Sequence, residues 1–127
     1  MALILDTNAL SAILVGETGI RSVVERRGRL LVPVIVLGEY EYGIRGSNRA
    51  ALIRHALDEL ISRVDVLPVD RRTATEYAEI RFALRENGTP IPENDVWIAA
   101  VARRHAVPIL TRDAHFDAVP GIERVMW

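Results

Sequence analysis

The amino-acid sequence predicts an α/β fold built on a mainly parallel sheet of about five strands. Three observations carry that expectation. Short apolar runs recur along the chain and alternate with longer segments of helical periodicity, the pattern of successive βα units. The runs are continuous rather than alternating, which suits strands buried on both faces. With 127 residues, half of them hydrophobic and 26% charged, the chain has the size and mixture of one globular domain spanning residues 1–127.

The elements follow in order. Ala2-Leu3-Ile4-Leu5 is an apolar run that stops at Asp6 and predicts the first strand. Residues 7–14 and 19–27 carry two short helical patterns. Leu30-Leu31-Val32 gives a second strand, ended by Pro33. Helices are predicted over 34–45 and 48–62, and a third strand over 64–69. Asp70 is a good N-cap for a helix running to about Asn87, where Gly88 stops it. Asn94 is expected to cap a helix over 95–105. Residues 107–110 and 122–126 supply the fourth and fifth strands. In such sheets ligands bind at the carboxyl ends of the strands, which says where chemistry is to be sought.

Composition removes several kinds of chemistry. Cysteine is absent, so disulfides, thiolate nucleophiles and cysteine-ligated zinc are excluded. All sixteen basic residues are arginine, a bias that codon composition explains. The missing lysine nonetheless excludes P-loop and Schiff-base chemistry, and the lysine of phospho-aspartate receivers and of most haloacid-dehalogenase-like phosphatases. No apolar run approaches the ~20 residues of a membrane-spanning helix. The opening MALILDTNAL lacks a basic flank and breaks at Asp6, unlike a signal peptide, so a soluble cytoplasmic protein is expected. The formal net charge of −1 does not by itself suggest a polyanionic partner.

Four carboxylates fall where stability alone would not place them. Asp6 ends the first strand, and Asp113 follows the fourth in ILTRD. Asp95 shares a helix face with Ile98, Ala99 and Ala102. Glu39 has Ile35, Val36, Tyr42 and Gly43 as its helical neighbours. Carboxylates are rarely buried unless paired or bound to a metal, and four together repel one another. A hard divalent cation such as Mg²⁺ or Mn²⁺ resolves that conflict. Each residue also has a purely structural reading. Asp6 suits an Asx turn, Asp113 the cap of a short helix over 114–117, and Asp95 a first-turn acid. Glu39 competes with Glu41 for the buried position.

Taken together these segments resemble the PIN domain, and within it the VapC-type toxins of toxin–antitoxin systems. LDTNAL at 5–10 resembles the family's opening motif. Glu39-Tyr40-Glu41-Tyr42-Gly43 resembles its E-x-x-x-G helix, which selects Glu39 over Glu41. GTPIPENDVWIAAVA at 88–102 and LTRDAHFDAVPGI at 110–122 are similar to its third and closing blocks. The resemblance implies a three-layer α/β/α sandwich, with Asp6, Glu39, Asp95 and Asp113 as an acidic quartet. Thr7, Asn8 and Thr111 would support it or orient water.

The resemblance further implies an endoribonuclease dependent on Mg²⁺, with Mn²⁺ also supporting activity. Water activated by the cation would hydrolyse an RNA phosphodiester, leaving a 5′-phosphate and a 3′-hydroxyl. Arg112, beside Asp113, is a candidate contact for an RNA phosphate. Arg45, Arg49, Arg103 and Arg104 are expected on helices flanking the cleft. His55 and His105 read as helix-surface and helix-end residues, and His115 as a lesser phosphate contact. Asp117 reads as an exposed helix residue. The implied partners are a VapB-type antitoxin and a second copy of the chain. Leu10, Ile13, Leu14, Ile20 and Val24 either form that contact surface or cover the sheet. The alternative function is a PIN-like binding module with little or no nuclease activity.

Overall fold

The computed structural model describes all residues, 1–127, and has the predicted α/β architecture. The strands are β1 (Ala2–Leu5), β2 (Arg29–Pro33), β3 (Asp65–Leu67), β4 (Ile109–Leu110) and β5 (Arg124–Val125). The helices are α1 (Thr7–Leu14), α2 (Thr18–Arg27), α3 (Val34–Arg45), α4 (Ala50–Ile61), α5 (Arg71–Glu86) and α6 (Glu93–His105), with a 3₁₀ turn at Ala114–Ala118. The five strands form one sheet in the order β3-β2-β1-β4-β5, every neighbouring pair parallel.

That order explains the burial pattern. β1 is central, and Leu3, Ile4 and Leu5 are fully buried, as a strand covered on both faces requires. The chain adds β2 and β3 on one side of β1, then returns to add β4 and β5 on the other. With right-handed crossovers, such a reversal sends the helices of the two halves to opposite faces of the sheet. The packing agrees: α1, α3 and α4 pack on one another, while α5 packs on α6. The buried face of α6 is Ile98, Ala99, Val101 and Ala102, and the alanines let it lie close to the sheet.

Local stereochemistry corrects several expected boundaries. Helix α6 begins at Glu93 rather than Asp95, and its N-cap is Pro92, not Asn94. The Pro92 carbonyl already accepts the Val96 N–H at 3.1 Å, so Asn94 lies within the first turn. β4 has two residues instead of four: the Val107 N–H is spent on the Ala102 carbonyl, and Pro108 has no N–H for a ladder. β3 and β5 are likewise shorter than their apolar runs. Helix α4 starts at Ala50 because the Ser47 hydroxyl accepts the Arg49 N–H and holds 47–49 in a turn. The cap on α5 is as expected. The Asp70 carboxylate accepts the Thr73 N–H while the Thr73 hydroxyl accepts the Asp70 N–H, and Gly88 follows the helix at φ 67°. Leu10 and Ile20 are buried in the core, and Ile13, Leu14 and Val24 pack against it, so these residues cover the sheet. The apolar side chains left exposed nearby are Val15 and Leu52.

Candidate active site

The sheet order reverses between β1 and β4, the point at which parallel sheets place their ligands, outside the carboxyl ends of the strands. Asp6 follows β1 directly. The register pairs Ile4 with Ile109 and Leu5 with Leu110, so the next step sets Asp6 beside Thr111. Two chain segments more than a hundred residues apart therefore meet through side chains. The Thr111 hydroxyl donates to Asp6 Oδ2 and accepts the Asp113 N–H at 2.9 Å. Thr111 is fully buried and Asp6 is 4% exposed. One threonine thus fixes the first carboxylate and the loop that carries the last.

Asp6 also caps α1, its Oδ1 accepting the Ala9 N–H at 2.8 Å. Asp113 caps the 3₁₀ turn, its Oδ1 accepting the His115 N–H at 2.9 Å. The structural readings of these two residues hold and leave room for a further role, since each carboxylate has lone pairs left after its capping bond. Glu39, half-buried on α3, accepts the Thr7 hydroxyl at 3.0 Å. Glu41 points elsewhere and pairs with Arg54 at 2.5 Å, so the acid turned toward the cleft is Glu39. Asp95 enters from the first turn of α6, half-buried.

The electrostatics tie the four together. Burial pushes the Asp6 carboxyl above its usual value, with the charges of Asp113 and Glu39 adding to the shift, while the bonds from Thr111 and Ala9 oppose it. Burial also raises Asp95, and Asp113 and Glu39 again add repulsion. Each of the central acids feels the same two neighbours. The structure therefore brings together all four sequence-predicted acids, with Thr7 on Glu39 and Thr111 on Asp6. Asn8 lines the trough beside Glu39, exposed.

His115 plays a larger part than the sequence suggested. Its Nδ1 lies 3.0 Å from Asp113 Oδ1 and 3.4 Å from Asp95 Oδ2. Asp95, Asp113 and His115 offer donor atoms all within 4.8 Å of one another. The signal was the Asp-Ala-His spacing after β4, since a 3₁₀ turn at Asp113 folds the imidazole back over its carboxylate. The four carboxylates are hard oxygen donors that repel one another, a set that fits Mg²⁺ or Mn²⁺.

The arginines divide. Arg112 donates to Glu17 and stacks over the Trp127 ring at 4.3 Å from its centroid. Arg103 is held by Glu76 and Glu79, and Arg104 by Asp70. Asp117 is exposed and paired with Arg124. Arg45 and Arg49, at the α3–α4 connection, make no ion pair in the structure.

A family model described as the PIN domain matches residues 3–122. The chain belongs to the PIN-domain family. Among PIN-domain relatives, Ribonuclease VapC5 of Mycobacterium tuberculosis is 34% identical over 99 residues, 76% of this chain and 73% of that protein. The tRNA(fMet)-specific endonuclease VapC of Shigella flexneri is 30% identical over 80% of this chain and 77% of its own. The fold is also that of VapBC from Salmonella typhimurium, solved bound to DNA, and of VapBC-5 from Mycobacterium tuberculosis. The first has a TM-score of 0.91 at 28% identity over 100% and 98% of the two chains. The second has 0.80 at 28% identity over 99% and 98%.

Proposed function

We propose that this PIN-domain protein is a VapC-type endoribonuclease, the toxin of a toxin–antitoxin pair, and that it works with Mg²⁺ or Mn²⁺ held by Asp6, Glu39, Asp95 and Asp113. The observation that carries the reading is the convergence of four mutually repelling carboxylates at the topological switch point, on a chain whose relatives are named ribonucleases. A divalent cation bound there lowers the pKa of water and offsets charge growing on the phosphate oxygens.

The chain's own residues supply position. Thr111 and the Ala9 N–H fix both oxygens of Asp6, so that its remaining lone pairs point in one direction. Thr7 does the same for one oxygen of Glu39. Asp95 enters on a helix that Val96 and the buried run from Ile98 to Ala102 anchor in the core. His115 bridges the outer edge of Asp95 and Asp113, where it can donate to a phosphate oxygen once the acids are otherwise engaged. The site has no lysine and only one histidine, so a paired-histidine cleavage through a cyclic phosphate lacks its second group.

The solved neighbours are complexes of VapC with VapB, and we extend that partnership to this chain: its partner is a cognate VapB-type antitoxin. Self-association into a homodimer belongs to the same reading. No helix is long and apolar enough to cross a membrane.

Purified protein incubated with RNA tests the proposal. Cleavage should require Mg²⁺ or Mn²⁺, stop in excess EDTA, and be lost in Asp95→Asn while the fold persists. Full cleavage in EDTA, or by Asp95→Asn, contradicts the metal assignment. A folded protein that cuts no RNA under any of these conditions favours the binding-module alternative.

A further inference from the structure

A trough leads away from the acidic centre between α1 and α3. Thr7 and Ser11, one helical turn apart, form one wall; Glu39, Tyr40, Gly43 and Ser47 form the other. Its lining mixes the hydroxyls of Thr7, Ser11 and Ser47 and the Asn8 amide with the half-buried Tyr40 ring and an apolar floor of Ile44 and Ile53, so that polar edges can meet a sugar-phosphate backbone while the ring and floor pack against a base. Beyond Ser11 and Tyr40 the trough opens into a second hollow that Arg49 borders, and Arg49 has no acidic partner. An anionic strand leaving the metal centre by this route meets its first free cation there.

Gly43 is the informative residue. It lies inside α3 with ordinary helical backbone, where glycine is less stable than alanine. The fold does not require it, because a Cβ built on Gly43 meets no atom within 4 Å. That Cβ would instead stand in the trough, one helical turn of about 5.4 Å from Glu39. Gly38, in the same helix, is equally free of neighbours but does not border the trough. It serves as an internal control.

We propose that the α1–α3 trough seats the RNA nucleotide adjoining the scissile phosphate, that Gly43 leaves the room it needs, and that Arg49 holds a phosphate further along. The inference rests on the ribonuclease reading and adds a path and a direction to it. Gly43 is a positioning residue, acting on KM rather than on the chemical step.

The test compares Gly43→Met and Gly43→Ala with Gly38→Met and Gly38→Ala, reading thermal stability, KM and kcat on one RNA. Both alanine variants should melt about 2–4 °C higher than wild type. Gly43→Met should raise KM on the order of tenfold or more with a smaller change in kcat, Gly43→Ala less, and the Gly38 variants not at all. Arg49→Ala should weaken RNA binding and flatten its logarithmic salt dependence by about 0.7. A KM for Gly43→Met within twofold of wild type overturns the proposal. So does a Gly43→Met protein that loses a protein partner yet binds RNA normally, which would assign the trough to that partner. A wild-type chain that cuts no RNA removes the ribonuclease reading as well; cleavage by wild type and Gly43→Met alike removes only this one.

Discussion

Replacing Thr111 by valine keeps the shape of a fully buried side chain and deletes one hydroxyl. That hydroxyl donates to a buried carboxylate and accepts the backbone N–H of Asp113. Loss of a hydrogen bond to a charged group costs about 1.5–3 kcal/mol, and the second bond, at a half-exposed residue that water can reach, adds about 0.5 kcal/mol. The methyl group gained offsets about 0.8 kcal/mol. The net destabilisation is about 2 kcal/mol. A chain of 127 residues loses about 4 °C of melting temperature per kcal/mol, so Thr111→Val should melt about 8 °C lower. The bond from Thr111 also lowers the Asp6 pKa, so in the variant Asp6 should titrate even higher than it does in the wild type. Calorimetry and carboxyl NMR titration of metal-free protein measure the two effects. A melting temperature within 2 °C of wild type, with Asp6 titrating unchanged, would refute the view that Thr111 couples the two halves of the site.

Two further outcomes follow from the same geometry. Burial and the neighbouring acids raise the Asp95 pKa in the folded state, so its ionised form opposes folding. The penalty is absent below the unfolded value of about 3.9 and complete once pH exceeds the raised folded value. Metal-free Asp95→Asn should therefore be more stable than wild type near neutral pH, with the gap closing toward pH 4 in urea melts, and Mg²⁺ should stabilise wild type more than the variant. Arg112 is already engaged by Glu17 and Trp127. Arg112→Ala should lower the melting temperature by a few degrees and leave the salt dependence of RNA binding unchanged; a flatter salt dependence would restore it as a phosphate contact.

Much of the fold was legible because its signals are local. Leu3, Ile4 and Leu5 form an unbroken apolar run because β1 is covered on both faces, and Asp6 breaks the run because the strand ends at the crevice. The α5 cap was readable from Asp70 because its partner, Thr73, lies three residues away. The start of α6 was misplaced because Asn94 is a strong capping residue, whereas Pro92 contributes only a fixed φ and a carbonyl. β4 is shorter than its apolar run because that run begins at Val107, before Pro108, and neither residue has an N–H free for the ladder.

The acids stood out since burial of a carboxylate is costly wherever it happens. His115 did not, because its importance depends on a turn that folds it onto Asp113 and toward Asp95, twenty residues away along the chain. The trough was invisible for a similar reason: Ser11, Tyr40 and Ser47 are unremarkable until α1 and α3 are packed side by side. The charge balance also gains meaning from the site. Apart from the quartet, thirteen acids face sixteen arginines, so a near-neutral total conceals an acidic centre in a mildly basic chain.

The chemistry of the cut ends tests the central claim most directly. RNA cleaved by the purified chain in Mg²⁺ should carry 5′-phosphate and 3′-hydroxyl termini, the products of water attacking the phosphodiester at a carboxylate-held cation. Termini that are mainly 2′,3′-cyclic phosphate and 5′-hydroxyl would contradict it, because the RNA's own 2′-hydroxyl, not water, would then be the nucleophile.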